Sequence, residues 1–235
     1  MICFKPSFSN SIQLVMRFIC HLILLTNLSL FSQVLDFKKG TIQFQIHNTE
    51  LLLHKKYALL ESNDSIVFSN IKFYISNPLV YKNDSLIKTP RKRYHLVDLN
   101  NPESLVLQTE TQNFDKIQFN LGIDKQTNLD GVRGGDLDPL KGMYWTWNTG
   151  YINIKLEGII YSKVDGVNVF KYHIGGFEPP MDTTQRLTLT KFNNQPIIIE
   201  MNKFLSFTDF SKDLMVLSPG ATSVELSSNF KNSFR

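Results

Sequence analysis

Residues 151–177 read YINIKLEGIIYSKVDGVNVFKYHIGGF. Ile152, Ile154 and Leu156 alternate with Asn153, Lys155 and Glu157. Further on, Phe170, Tyr172 and Ile174 face one way while Val169, Lys171 and His173 face the other. A period of two over this length marks half-buried β-strand. Asp165-Gly166 between the two runs is a hairpin signal, because glycine tolerates the positive φ that tight turns need. The stretch therefore predicts a hairpin joining 151–164 to 167–174.

The same pattern recurs outward from it. GTIQFQIH (40–47) alternates Ile42, Phe44 and Ile46; NIKFYIS (70–76) alternates Ile71, Phe73 and Ile75; DKIQFNLGI (115–123) alternates Ile117, Phe119 and Leu121. Turn signals separate the runs, at Asn83-Asp84 and FNNQP (192–196). One helix is predicted, in GATSVELSSNFKNSF (220–234) after Ser218-Pro219. Many short strands with neither repeat nor composition break predict an all-β chain: a single antiparallel β-sandwich with a short C-terminal helix. The connection GIDKQTNLDGVRGGDLDPLKG (122–142) is long for a compact domain, and such loops are usually functional or mobile.

The N-terminus reads differently. MRFICHLILLTNLSLFSQ (16–33) has a basic start, a short apolar middle and a small-residue exit, the layout of a secretory signal. The expected organisation is a signal peptide over 1–33, with 1–15 an upstream extension, followed by one domain over 34–235. The mature protein is expected in the periplasm or secreted. Cys3 and Cys20 are the only cysteines and both fall in the signal, which excludes disulfides and thiolate metal sites from the domain. Removing 1–33 takes away Lys5 and Arg17 and no acid, so the formal charge of +4 falls by two. Such a balance, with KTPRKRYH (88–95) the one basic cluster, argues against nucleic acid as a partner.

Candidate chemistry is sparse. There is no Gly-x-Ser-x-Gly elbow, no cysteine nucleophile in the domain and no phosphate loop, and nothing singles out Glu157 and Glu178 as an acid pair. A catalytic role is not expected. His47, His54, His95 and His173 remain, none with a histidine at i+2 or i+4. Imidazole suits copper and zinc, but spacing alone favours histidines hydrogen-bonded at strand ends. Asp124, Asp130, Asp136 and Asp138 stand among glycines, as a calcium loop requires, without the twelve-residue spacing. Trp145 and Trp147 in GMYWTWNTGYINIKLEG (142–158) share a face if the strand continues through them, as a core plug, a sugar platform or the wall of a site.

The order of several blocks resembles a known family. FYIS (73–76), YHLVD (94–98), FNLGID (119–124), GMYWTWNTGYINIKLEG (142–158), YHIGGF (172–177) and a closing NF…F (229–234) are similar to the MbnP-like proteins, exported copper-binding proteins of methanobactin operons. The resemblance spans roughly 40–235. It implies a β-sandwich that scavenges or delivers copper in the periplasm, with a copper ion as ligand and a membrane-bound partner from a copper uptake system. His173 is then the first copper ligand and His95 the second, with His47 and His54 in reserve and Trp145 and Trp147 as supports or site wall. Residue 93 is arginine, so no tryptophan stands two before His95, where family members can carry one oxidised to kynurenine. Met143, Met181, Met201 and Met215 are soft donors scattered along the chain. The contrasting expectation is a metal-free module that binds a glycan or a protein through the 122–150 loop and its aromatics.

Overall fold

The computed structural model describes residues 41–60, 62–88, 92–108, 113–148, 150–190 and 195–235, all within one compact unit spanning 38–235. The predicted signal segment, the FNNQP turn in large part and part of the basic cluster lie outside the described residues. Strands dominate, as predicted. β1 (Ile42–Ile46), β2 (Thr49–Glu50) and β3 (Lys56–Ala58) precede the long β4 (Ser65–Lys82). Then come β5 (Ser85–Lys88), β6 (Tyr94–Asp98), β7 (Lys116–Leu121), β8 (Tyr144–Trp145), β9 (Gly150–Ser162) and β10 (Gly166–Gly175). β11 (Gln185–Thr190), β12 (Ile197–Glu200) and β13 (Met215–Val216) complete the set. Among the described residues three α-helices accompany them: α1 (Lys125–Leu129), α2 (Met201–Ser206) and α3 (Ala221–Lys231), the last being the predicted C-terminal one.

The large sheet runs β11-β7-β4-β9-β10-β13, with β3, β6 and β5 along the other edge of β4 and β8 on β9. A small sheet, β12-β1-β2, packs against its inner face. The pairing is antiparallel except for β1 with β12 and β10 with β13. The architecture is thus sandwich-like and all-β. The small sheet and α3 close one side of a core in which Phe73 meets Phe44, Phe230 and Phe234 edge-on.

β4 reaches 18 residues because irregularities re-aim it. A register shift between Phe68 and Asn70 moves the inward set from Ile66 and Phe68 to Ile71, Phe73 and Ile75. Gly158 sits opposite both Phe68 and Phe170. A Cβ there would come within 2.0 Å of the Val67 carbonyl oxygen and 2.6 Å of the Phe170 ring. Only glycine lets the three strands close at this point.

The hairpin forms with a different turn from the predicted one. Ser162 pairs with Gly166, leaving a three-residue loop instead of Asp165-Gly166 alone. The Ser162 hydroxyl accepts the backbone N–H groups of Val164 and Asp165, and Gly166 takes φ +77°. Three-residue loops closed by a left-handed glycine are a common hairpin solution.

A second apolar cluster lies on the outer face. Residues 122–148 fold over it, burying Tyr74, Leu96, Ile123, Leu137, Met143, Trp145, Tyr151 and Ile152. The long loop is therefore a packed cover. Tyr74 donates to the Asp136 carbonyl, and Asn153 accepts the Ile123 N–H.

Candidate metal centre

Register decides which side chains can meet. His173 pairs with Lys155, Lys155 with Lys72, and Lys72 with Asp98, so these four stand in one row on the outer face. His95 pairs with Ile75, three residues along the strands from that row, on the face that carries Val97 and Phe73 into the main core. The two leading histidines consequently face opposite sides of the sheet, on β10 and β6, with β9 and β4 between them. The structure does not bring them together.

Each is nonetheless held in a defined tautomer. His173 Nε2 lies 2.7 Å from Glu157 Oε1, and the other carboxylate oxygen accepts from Asn70 Nδ2 at 2.9 Å. Burial pushes the His173 pKa below its ordinary value, against the pull of Glu157, so the ring is neutral near pH 7 and its Nε2–H donates to the carboxylate. Burial alone would raise Glu157, but its hydrogen bonds from His173 and Asn70 and the charge of Lys155 bring it below the usual range. The Nδ1 lone pair of His173 is left over.

His95 is only 4% exposed. Its Nε2 lies 2.7 Å from the Ser104 carbonyl, which fixes Nε2 as the protonated nitrogen of the neutral ring. Desolvation by burial lowers its pKa. Nδ1 is buried and has no hydrogen-bond partner among the described residues. An unpaired buried acceptor costs about 1–3 kcal/mol. A cleft of about 430 Å³ adjoins the ring, lined by Lys72, Asp98, Glu103, Asp136 and Lys141 among others. Metal-bound histidines usually donate their second ring nitrogen to a carbonyl or carboxylate, which is the state of both rings here.

The remaining candidates are placed apart. His47 and His54 sit in turns at φ +51° and +62°. The His47 N–H donates to Asn202 Oδ1 and the His54 N–H to the Phe68 carbonyl. Among the described residues no three of His, Cys, Asp and Glu converge tightly enough to enclose a metal. The loop aspartates are each engaged locally. Asp124 caps α1 through Thr127 and pairs with Arg93; Asp130 pairs with Arg133. Asp136 meets Lys92 and Lys141, and Asp138 caps the next turn at Leu140. Met143 and Met201 are in separate cores, while Met181 and Met215 are exposed.

The tryptophans divide. β8 ends at Trp145, which is 6% exposed, whereas Trp147 lies in the turn beyond it at 65%. Their ring centroids are 5.8 Å apart. Trp145 packs so closely on Gly175 that a Cβ there would fall 2.7 Å from its ring. The Trp-x-Trp block is thus one core plug and one surface indole.

With this geometry in view, the comparisons with known proteins decide the lineage. The family model MbnP matches residues 38–219. The chain belongs to the MbnP family. A solved structure, MbnP from Methylosinus trichosporium, superimposes with a TM-score of 0.51 at 12% sequence identity, covering 77% of this chain and 80% of that one. No curated protein matches the sequence. At that identity the likeness to the Methylosinus MbnP establishes the shared fold. Sequence reasoning missed the MbnP-type chain's Glu157 and Asn70 as partners of His173. The signal was the true hairpin register, which sets Glu157 diagonal to His173 and which the Asp165-Gly166 reading concealed.

Proposed function

We propose that this MbnP-family protein is exported and binds copper as cargo, to scavenge or deliver it in the periplasm, with His95 Nδ1 as the anchoring donor. The observation that carries the reading is that this buried nitrogen has no partner among the described residues while its ring is locked by Ser104. A soft, low-coordinate cuprous ion suits a single neutral imidazole completed by a ligand from outside the chain. Few protein donors also favour handing the ion on over storing it. His173, backed by Glu157, is a separate half-buried donor on the other face, and the role assigned to it is a secondary one.

Competition for Cu(I) against a chromophoric chelator tests this. One equivalent should bind, be lost in His95→Ala and persist in His173→Ala, with circular dichroism showing both variants folded. Loss in His173→Ala alone would move the anchor to the outer face, and no binding to either would remove copper from the account.

The second reading is a metal-free module recognising a glycan or a protein through the loop. It is favoured by the exposed Trp147 indole propped against Trp145, an arrangement suited to stacking on a sugar face. Trp147→Ala would then abolish ligand-induced fluorescence changes, and copper would not quench the wild type.

A further inference from the structure

At the end of the sandwich remote from β6 lies a cleft of about 860 Å³, within the range of small-molecule sites. Its floor is apolar: Ile160, Leu59, Leu205, Phe210 and Leu214. Its walls are fixed by specific contacts. Phe210 stacks on Tyr172 and meets Phe170 edge-on, the Phe207 carbonyl accepts from Asn229, and Asn202 holds the β1–β2 turn at His47. Leu60 and Phe207 stand at the mouth, 76% and 57% exposed. Two apolar side chains left in water beside an apolar hollow are the lining of a binding site more readily than of a finished surface.

The rim supplies the sign of the ligand. Asp64, Asp165 and Asp209 line the cleft together with Lys203. Lys203 is neutralised by Glu200 and Asp209 by Lys212. Asp64 and Asp165 have no cationic partner among the described residues. The Asp64 carboxylate accepts the Lys163 backbone N–H, which ties the β3–β4 turn to the β9–β10 turn that carries Asp165. We propose that this cleft binds a small organic cation with an apolar body, its tail on the Ile160–Phe210 floor and its ammonium between Asp64 and Asp165. The site is independent of the copper reading, since no residue of the His95 cleft lines it.

Isothermal titration of the full chain with decyltrimethylammonium, kept below its micelle concentration, tests the assignment. Decyl sulfate and tetramethylammonium serve as contrasts for charge and tail. Saturable one-to-one binding of the decyl cation is expected, with tetramethylammonium and decyl sulfate each at least tenfold weaker. The Asp64→Asn/Asp165→Asn double variant should weaken the decyl cation about tenfold, and asparagine keeps the acceptor for Lys163. Leu60→Ala, at an exposed position, should weaken it several-fold without changing the melt. Equal binding of the decyl sulfate, or no effect of the double variant, would overturn the cationic assignment. No saturable binding at all, including a cleft already filled by the protein's own N-terminal segment, would overturn the site.

Discussion

His173 Nε2 and Glu157 Oε1 lie 2.7 Å apart across the β9–β10 hairpin, and this contact sets how the outer face responds to acid. The folded pKa of His173 is lowered, as is that of His95, in both cases first by burial. Between the folded pKa and the ordinary 6.5 the unfolded chain therefore binds more protons, so stability rises with pH there. Glu157 is also lowered, which adds stability above 4.5 that is lost on further acidification. The melting temperature should fall as pH drops below 6.5 and fall again below 4.5. His95→Gln should flatten the first decline in a differential scanning fluorimetry series. A melt unchanged between pH 7 and 5 would contradict the buried neutral state of both rings.

At Gly158 the strands β4, β9 and β10 leave no room for a Cβ. Alanine there drives a methyl into the Val67 carbonyl, and backbone cannot yield as a flexible side chain does. Overpacking of this kind costs about 3 kcal/mol. Urea denaturation of Gly158→Ala should show that loss, and a cost under about 0.5 kcal/mol would mean that β4 and β9 part freely.

The loop aspartates lead to a prediction about calcium. Asp124 accepts from Thr127, Asn77 and Arg93, and Asp136 from Lys92, Lys141 and the Leu96 N–H. A cation would have to displace these partners. Calcium and EDTA should therefore give the same melting temperature. Asp124→Ala should lose about 1 kcal/mol with or without calcium, the usual cost of a lost helix cap. Calcium-dependent stabilisation would show that the loop rearranges around the ion.

Much of the fold was legible because period-two runs such as Ile71-Phe73-Ile75 state their facing directly. What escaped depends on one-residue events. The register shift at Phe68–Asn70 and the three-residue turn at Lys163–Asp165 each change which residues stand side by side. His95 and His173 lie in blocks that look alike, YHLVD and YHIGG, yet register sends them to opposite faces. The shared Tyr-His spelling cannot carry that difference, because facing is set by the partner strand. Likewise Trp-x-Trp implies one face only while the strand continues, and β8 stops at Trp145.

That early stop separates the two indoles energetically. Trp145 fills the outer core against Gly175 and Tyr151, so Trp145→Ala should cost about 3–5 kcal/mol. Trp147 stands in solvent, and Trp147→Ala should stay within about 0.5 kcal/mol. Fluorescence should follow the same division. The Trp147→Ala protein, retaining the buried indole, should emit further to the blue and resist acrylamide quenching better than the wild type. If instead Trp147→Ala destabilised the protein by several kcal/mol, the surface indole would have to be packed, and the glycan-platform reading would fall with it.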